Sequence, residues 1–171
     1  MKLINIFLFT CSVLFAGVFD FDTISSDFKQ TITNEENSKI VYEGSLYATT
    51  KEKALWIYKT PVEKKIYFNQ SRVVILEPEL EQAIITNLEN VPNITELLKK
   101  SIKKEDGTFE TTYDNTTYVI HTQNEEIKEI TYSDKLGNSV KIELLNQSVN
   151  TVLDDSLFVA EIPVDFDVIS Q

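Results

Sequence analysis

Cysteine, histidine, glycine and proline are all scarce in this chain. Among 171 residues there is one cysteine, one histidine, one tryptophan, four glycines and four prolines. The cysteine, Cys11, lies in an apolar N-terminal run. A chain cut after that run holds no thiol, so disulfides, cysteine nucleophiles and cysteine metal sites drop out together. The histidine, His121, sits in "YVIHTQ" and shares a strand face with Val119, opposite Tyr118 and Ile120. A lone strand histidine reads as structural, and no second one completes a metal site. Glycine-rich phosphate loops, a serine nucleophile elbow and EF-hand spacing are all missing. The acidic pairs Asp154-Asp155 and Glu125-Glu126 read as turn and surface charge. A two-carboxylate hydrolase pair stays formally open, but nothing singles one out. An enzyme is not expected, and no cofactor is implied.

Basic residues are also in deficit. Sixteen Lys and Arg stand against 27 Asp and Glu, a net charge of -11. Phosphate backbones need clustered cations, so nucleic acid is excluded as a partner, and anionic membrane surfaces are disfavoured. The one long hydrophobic run covers residues 3–16, "LINIFLFTCSVLFA", behind Lys2. It suits a signal h-region and is short for a membrane span. The expectation is an export signal over residues 1–17, cut near Ala16-Gly17, and one domain over 18–171. A retained anchor is the other reading of the same run.

What is present is period-two alternation rich in Thr, Val, Ile and Tyr. "SKIVYEGSLYAT" sets Ile40, Tyr42, Gly44, Leu46 and Ala48 on one face. "KALWIYKTP" does the same with Ala54, Trp56 and Tyr58. "KKIYFNQ" and "RVVILEP" follow across a turn at 69–71, then "QAIITNL". "GTFETTYDNTTYVIHT" reads as a hairpin turning at Asp114-Asn115. "EIKEITYSD" and "SVKIELLNQ" flank the turn "DKLGN". The tail "LFVAEIPVDFDVIS" reads as one or two strands around Pro163. About ten strands with short connections predict an antiparallel meander that curls toward a barrel. With so few glycines, its loops must be built on Asn, Asp and Ser. Helical signals are three. Residues 18–26 suggest a short N-terminal helix, 93–105 a lysine-ended amphipathic helix with Ile94, Leu97, Leu98 and Ile102 on its stripe, and 152–158 a single turn.

Seventeen Phe and Tyr residues plus Trp56 spread over nearly every strand. Two readings follow. They fill an ordinary core, or they line a cavity in an open barrel with helix 93–105 as its lid. Periodicity does not choose between them.

The order of landmarks does more. "DFKQTIT", "EGSLYATT", "ALWIYKTP", "KIYFNQSRVVILEPELEQA", "NITELL", "SDKLGNSVKIELLNQSVN" and "LFVAEIPVDFDVI" follow one another behind the apolar leader. In that order they resemble the LolA family, periplasmic carriers of outer-membrane lipoproteins. The resemblance implies a mainly β fold: a curved antiparallel sheet forming an unclosed half-barrel, covered by a few short helices. It implies a hydrophobic cavity for acyl chains, lined by Phe28, Tyr42, Leu46, Trp56, Tyr58, Phe68, Ile130, Tyr132 and Ile142, with Leu97, Leu98 and Ile102 on the lid. The implied partners are acylated lipoproteins, an inner-membrane lipoprotein-releasing transporter and an outer-membrane acceptor, met by a monomer in the periplasm. The chain departs from the family pattern at Thr50-Lys51, where Arg-Pro is usual, at Ala54 and at Leu76-Glu77-Pro78. Lys51 or Lys53 is then the candidate for the arginine's electrostatic part. Three rivals remain. A LolB-like acceptor shares the fold but needs a lipidated cysteine, and Thr10 precedes Cys11. The others are a half-barrel sensor or binding module and an exported hydrolase.

Overall fold

The computed structural model describes residues 19–87 and 94–170. The signal-peptide expectation and residue 93, where the amphipathic helix is expected to begin, fall outside them. Twelve strands lie among the described residues, where about ten are expected. They are β1 Thr23–Thr33, β2 Lys39–Thr49, β3 Lys53–Thr60, β4 Lys64–Asn69, β5 Arg72–Glu77, β6 Gln82–Asn87, β7 Ile102–Lys103, β8 Phe109–Tyr113, β9 Thr116–Gln123, β10 Glu126–Ser133, β11 Ser139–Val149 and β12 Asp167–Ser170. One α-helix, α1, covers Ile94–Lys100, and 3-10 turns cover Pro78–Leu80 and Asp155–Phe158.

The loops show how a glycine-poor chain turns. Asp114 and Asn115 take positive φ between β8 and β9, and Asn124 and Glu125 do so between β9 and β10. Such two-residue loops match the twist of the strands they join. Longer loops are tied by an Asx side chain. Asn34 Oδ1 accepts from the backbone N–H of Glu36 and Ser38, and Asp134 Oδ1 from Leu136 and Asn138.

All twelve strands form one sheet in the order β12-β6-β5-β4-β3-β2-β1-β11-β10-β9-β8-β7. It is two meanders joined where β1 pairs with β11, rather than one continuous meander. β12 returns parallel to β6 at one edge. β6 and β7 stand near opposite edges, so the connection holding α1 must cross one face. α1 packs on both β2 and β8. Those strands are five places apart, about 24 Å on a flat sheet, while a helix is only about 10–12 Å wide. The sheet is therefore curled beneath α1, and the crossed face is the concave one.

Two expected helices differ from the structure. Residues 23–26 open β1, because Ile24, Ser26 and Phe28 alternate into the concave core, and burying them outweighs a weak apolar pair three residues apart. The helix expected to reach residue 105 stops at Lys100, where Ser101 N and Oγ both bond Leu98 O. The tail differs as well. Residues 153–166 run across the back of the sheet, and only 167–170 form a strand.

Each face has its own core. The concave core gathers Ile24, Phe28, Leu46, Ala48, Ala54, Ile120, Ile130, Val140, Ile142 and Leu144 under Ile94 and Leu98 of α1. The convex core holds Leu55, Tyr67, Val74, Leu76 and Ala83 beneath Phe158, Leu157 and Ile162 of the tail. Strands β3–β6 are thus apolar on both sides, which needs a cover on each.

Candidate functional site

The concave wall follows from register. In β2–β3 pairing, Leu46 stands opposite Trp56, Ala48 opposite Ala54 and Gly44 opposite Tyr58. Trp56 and Tyr58 therefore face the hollow. Gly44 leaves room for the ring of Phe28, its partner on β1. A Cβ at residue 44 would lie 2.8 Å from that ring and 1.9 Å from the carbonyl oxygen of Ile57. With that space open, Phe28 meets Trp56 and Tyr58 edge-on, each at 5.0 Å between ring centres. Tyr42 abuts Tyr58 at 5.6 Å, and Trp56 and Tyr58 stack at 6.5 Å. Such contacts add to the burial of ring area.

Polar groups enter this wall at one end. Tyr58 Oη donates to Gln30 Oε1 at 2.9 Å. Lys64 Nζ sits 4.6 Å from the Tyr58 ring centre and 5.4 Å from that of Tyr42, both cation–π distances. Across the hollow, Tyr118 and Tyr132 approach to 4.8 Å. Burial pushes the Tyr132 phenol up to about 12. Burial raises Tyr58 as well, with a smaller push from Tyr132. Those two residues are four strands apart, so this influence acts across the curl of the sheet. Both phenols are neutral over the physiological range.

The lining expected from sequence is largely brought together. Phe28, Leu46, Trp56, Tyr58, Phe68, Leu98, Ile130, Tyr132 and Ile142 belong to one cluster, and Tyr42 joins it through Tyr58. Leu98 is 1% exposed beneath the helix, and Leu97 is half-buried. Thr95 Oγ1 donates to Thr49 O, tying α1 to the end of β2. Ile102 does not belong. It lies on β7 opposite Glu110, so it faces the convex side, and it is 70% exposed. With the helix ended at Lys100, residue 102 follows strand alternation instead of the helical stripe.

Sequence reasoning missed Phe19, Phe21, Phe109, Ile127, Tyr118 and the polar pair Gln30 and Lys64. Phe19 and Phe21 were hidden by the expected helix. Gln30 could have been found, since it is in register with Tyr42 on the apolar face of β1. Lys53 does not reach the hollow. It pairs with Asp155 at 2.8 Å and ties the β2–β3 turn to the tail. His121 lies exposed on the convex face opposite Glu129. No group of three or more His, Cys, Asp or Glu able to hold a metal occurs among the described residues. What the wall offers a ligand is apolar area, ring faces and a few donors.

Comparison with known proteins agrees with this geometry. Residues 20–121 match the family model described as outer membrane lipoprotein carrier protein LolA. The chain is 38% identical over 168 residues to an outer-membrane lipoprotein carrier protein of Campylobacter jejuni, covering 98% of both chains. It is 35% identical over 147 residues to one of Wolinella succinogenes, covering 85% of this chain and 86% of that one. Its fold is like that of a LolA superfamily protein from Nitrosomonas europaea, with a TM-score of 0.51 and 12% identity over 82% of this chain and 91% of that one. By sequence over most of its length, this chain belongs to the LolA family of outer membrane lipoprotein carrier proteins.

Proposed function

We propose that the protein carries lipoproteins bound for the outer membrane, shielding their acyl chains on its concave face. It is a carrier, as its relatives are named, and not an enzyme. Carriers of this pathway are periplasmic. Export would then rest on removal of residues 1–17, leaving the single domain 18–171. A monomer would receive cargo from a releasing transporter in the inner membrane and give it to an acceptor in the outer one.

The observation that carries the reading is the wall itself. Trp56, Tyr58, Phe68 and Tyr132 are half-buried on a curved sheet crossed by one short helix. Each methylene withdrawn from water gains roughly 0.8 kcal/mol, so a triacylated anchor cannot cross an aqueous space uncovered. A carrier must also release what it binds. The seven-residue helix α1, seated on the hollow through Ile94 and Leu98, is the cover that would move to admit and release cargo.

Trp56 is the only tryptophan, so its emission reports on the wall alone. Titration with a triacylated cysteine lipopeptide is expected to shift that emission saturably at one equivalent. Leu46→Glu, at the buried position facing Trp56, is expected to abolish the shift. Emission indifferent to the lipopeptide would leave the rings as ordinary core and remove the carrier reading.

A further inference from the structure

One end of the concave wall is rich in hydrogen-bond donors. Gln30 on β1, Tyr42 on β2, Tyr58 on β3 and Lys64 at the start of β4 meet there. Gln30 is only 8% exposed and is flanked in register by Tyr42 and Ile142. Its amide oxygen is taken by Tyr58, which leaves its two amide N–H donors with no protein partner among the described residues. Lys64 takes part in none of the ion pairs found there, and its ammonium rests on ring faces alone. An ammonium has three donors and no acceptor. No fully buried side-chain nitrogen or oxygen among the described residues lacks a partner. The spare donors therefore open onto accessible space on the apolar face. Elsewhere the concave wall is hydrocarbon and ring, save the hydroxyls of Ser26, Thr111, Tyr118 and Tyr132.

A site with donors in excess, set at the edge of an apolar surface, fits a ligand that has acceptors only at the end of long apolar chains. We infer that Gln30, Tyr58 and Lys64 form a clamp for the ester and amide carbonyl oxygens of acyl cargo, while the chains lie along Phe28, Trp56 and Phe68 toward α1. This rests on the carrier reading and adds to it. Apolar area supplies the affinity, and the clamp fixes which end of the lipid sits where. Because Tyr58 stays protonated, it places no negative charge beside those oxygens. The clamp also separates acylated anchors from chains of equal length that lack carbonyls, since unpaired buried donors penalise the poorer ligand.

The test compares two synthetic lipopeptides of equal chain length by calorimetry. One carries ester and amide linkages, and the other has ether and alkyl linkages in their place. The wild-type protein is expected to prefer the first by roughly tenfold or more, the value of one or two hydrogen bonds to a charged or amide donor. The double variant Gln30→Leu with Lys64→Met is expected to bind both alike, at the affinity the wild type shows for the ether form. Tyr58→Phe, which keeps the ring, is expected to lose part of the preference. Equal binding of the two lipopeptides by the wild type would overturn the clamp and leave the carrier reading intact. So would a variant that loses both ligands together. Laurate serves as a third probe. If the variant loses laurate and keeps its ester preference, Lys64 serves carboxylates and the clamp is wrong. Failure of the wild type to bind either lipopeptide would instead remove the carrier reading, and the clamp with it.

Discussion

Gly44 is where one added methyl group would be felt most. Its Cβ would press on the Ile57 carbonyl oxygen and on the Phe28 ring, and the backbone contact cannot be relieved by a rotamer. Gly44→Ala is expected to lower stability by about 1–3 kcal/mol and to loosen the Phe28 contacts with Trp56 and Tyr58. Urea unfolding measures the first effect and near-ultraviolet dichroism the second; an unchanged midpoint would show that the strand can shift at little cost. Tyr132 gives a pH prediction. Its folded value, about 12, is above the ordinary phenol value near 10. Its contribution to stability is therefore whole below pH 10 and is lost as pH climbs toward 12. The melting temperature should fall across that window, and Tyr132→Phe should fall less. At this level much was readable. Alternation within β3 placed Ala54, Trp56 and Tyr58 on one face because a pleated strand leaves no other arrangement. The sharing of that face by Leu46 and Tyr132 was implied only by the family resemblance and follows from register across the sheet. Gln30 and Lys64 were not readable as a pair, since β2 and β3 separate their strands and only the fold brings them to the same two rings.

The segment after β11 is an element whose role is not visible in local sequence. Residues 153–166 have no strong period, yet Phe158, Leu157, Leu153 and Ile162 cover the backs of β3–β6. The sign was in the strands beneath. Leu55, Ile57, Tyr67, Val74 and Leu76 are apolar on the face opposite Trp56 and Phe68, and a strand apolar on both sides needs two covers. Phe158→Ala is expected to cost about 3–5 kcal/mol, seen as a lowered denaturant midpoint. The Lys53–Asp155 pair over the same segment is solvent-screened, since the Asp155 side chain is 78% exposed. Its loss in Lys53→Ala should cost less than about 1 kcal/mol. If the two variants destabilise alike, the tail is held by charge and not by Phe158. On the other face, α1 buries Leu98 but ends at Lys100. Periodicity alone overran that boundary, because Ser101 and Ile102 continue the helical stripe while backbone bonds to Leu98 O already end it. Leu98→Asp should lift the helix from the wall, read as faster hydrogen exchange in residues 94–100 with the β1–β2 amides unchanged.

For the molecule as a whole, the decisive feature is that one sheet is curled but not closed. The β6–β7 connection must bridge its two ends, and among its described residues it puts α1 over the hollow. A meander was expected from the short connections, and within β1–β6 and within β7–β11 it holds. The β1–β11 seam joins residues more than a hundred positions apart, with partners such as Phe28 and Leu144. No local signal encodes it. The ordered landmarks indicated it only through resemblance to a family. The seam puts Phe28 and Gln30 at the middle of the sheet, so the concave core and the polar end of the wall are built around the first strand. Mass spectrometry of what co-purifies with the protein from the periplasm tests the central claim most directly. Acylated lipoprotein at one equivalent, lost when Trp56 is changed to Glu in a protein that still melts cooperatively, is the result predicted. Ligand-free protein, or cargo retained equally by Trp56→Glu, would contradict a lipid-carrying concave face.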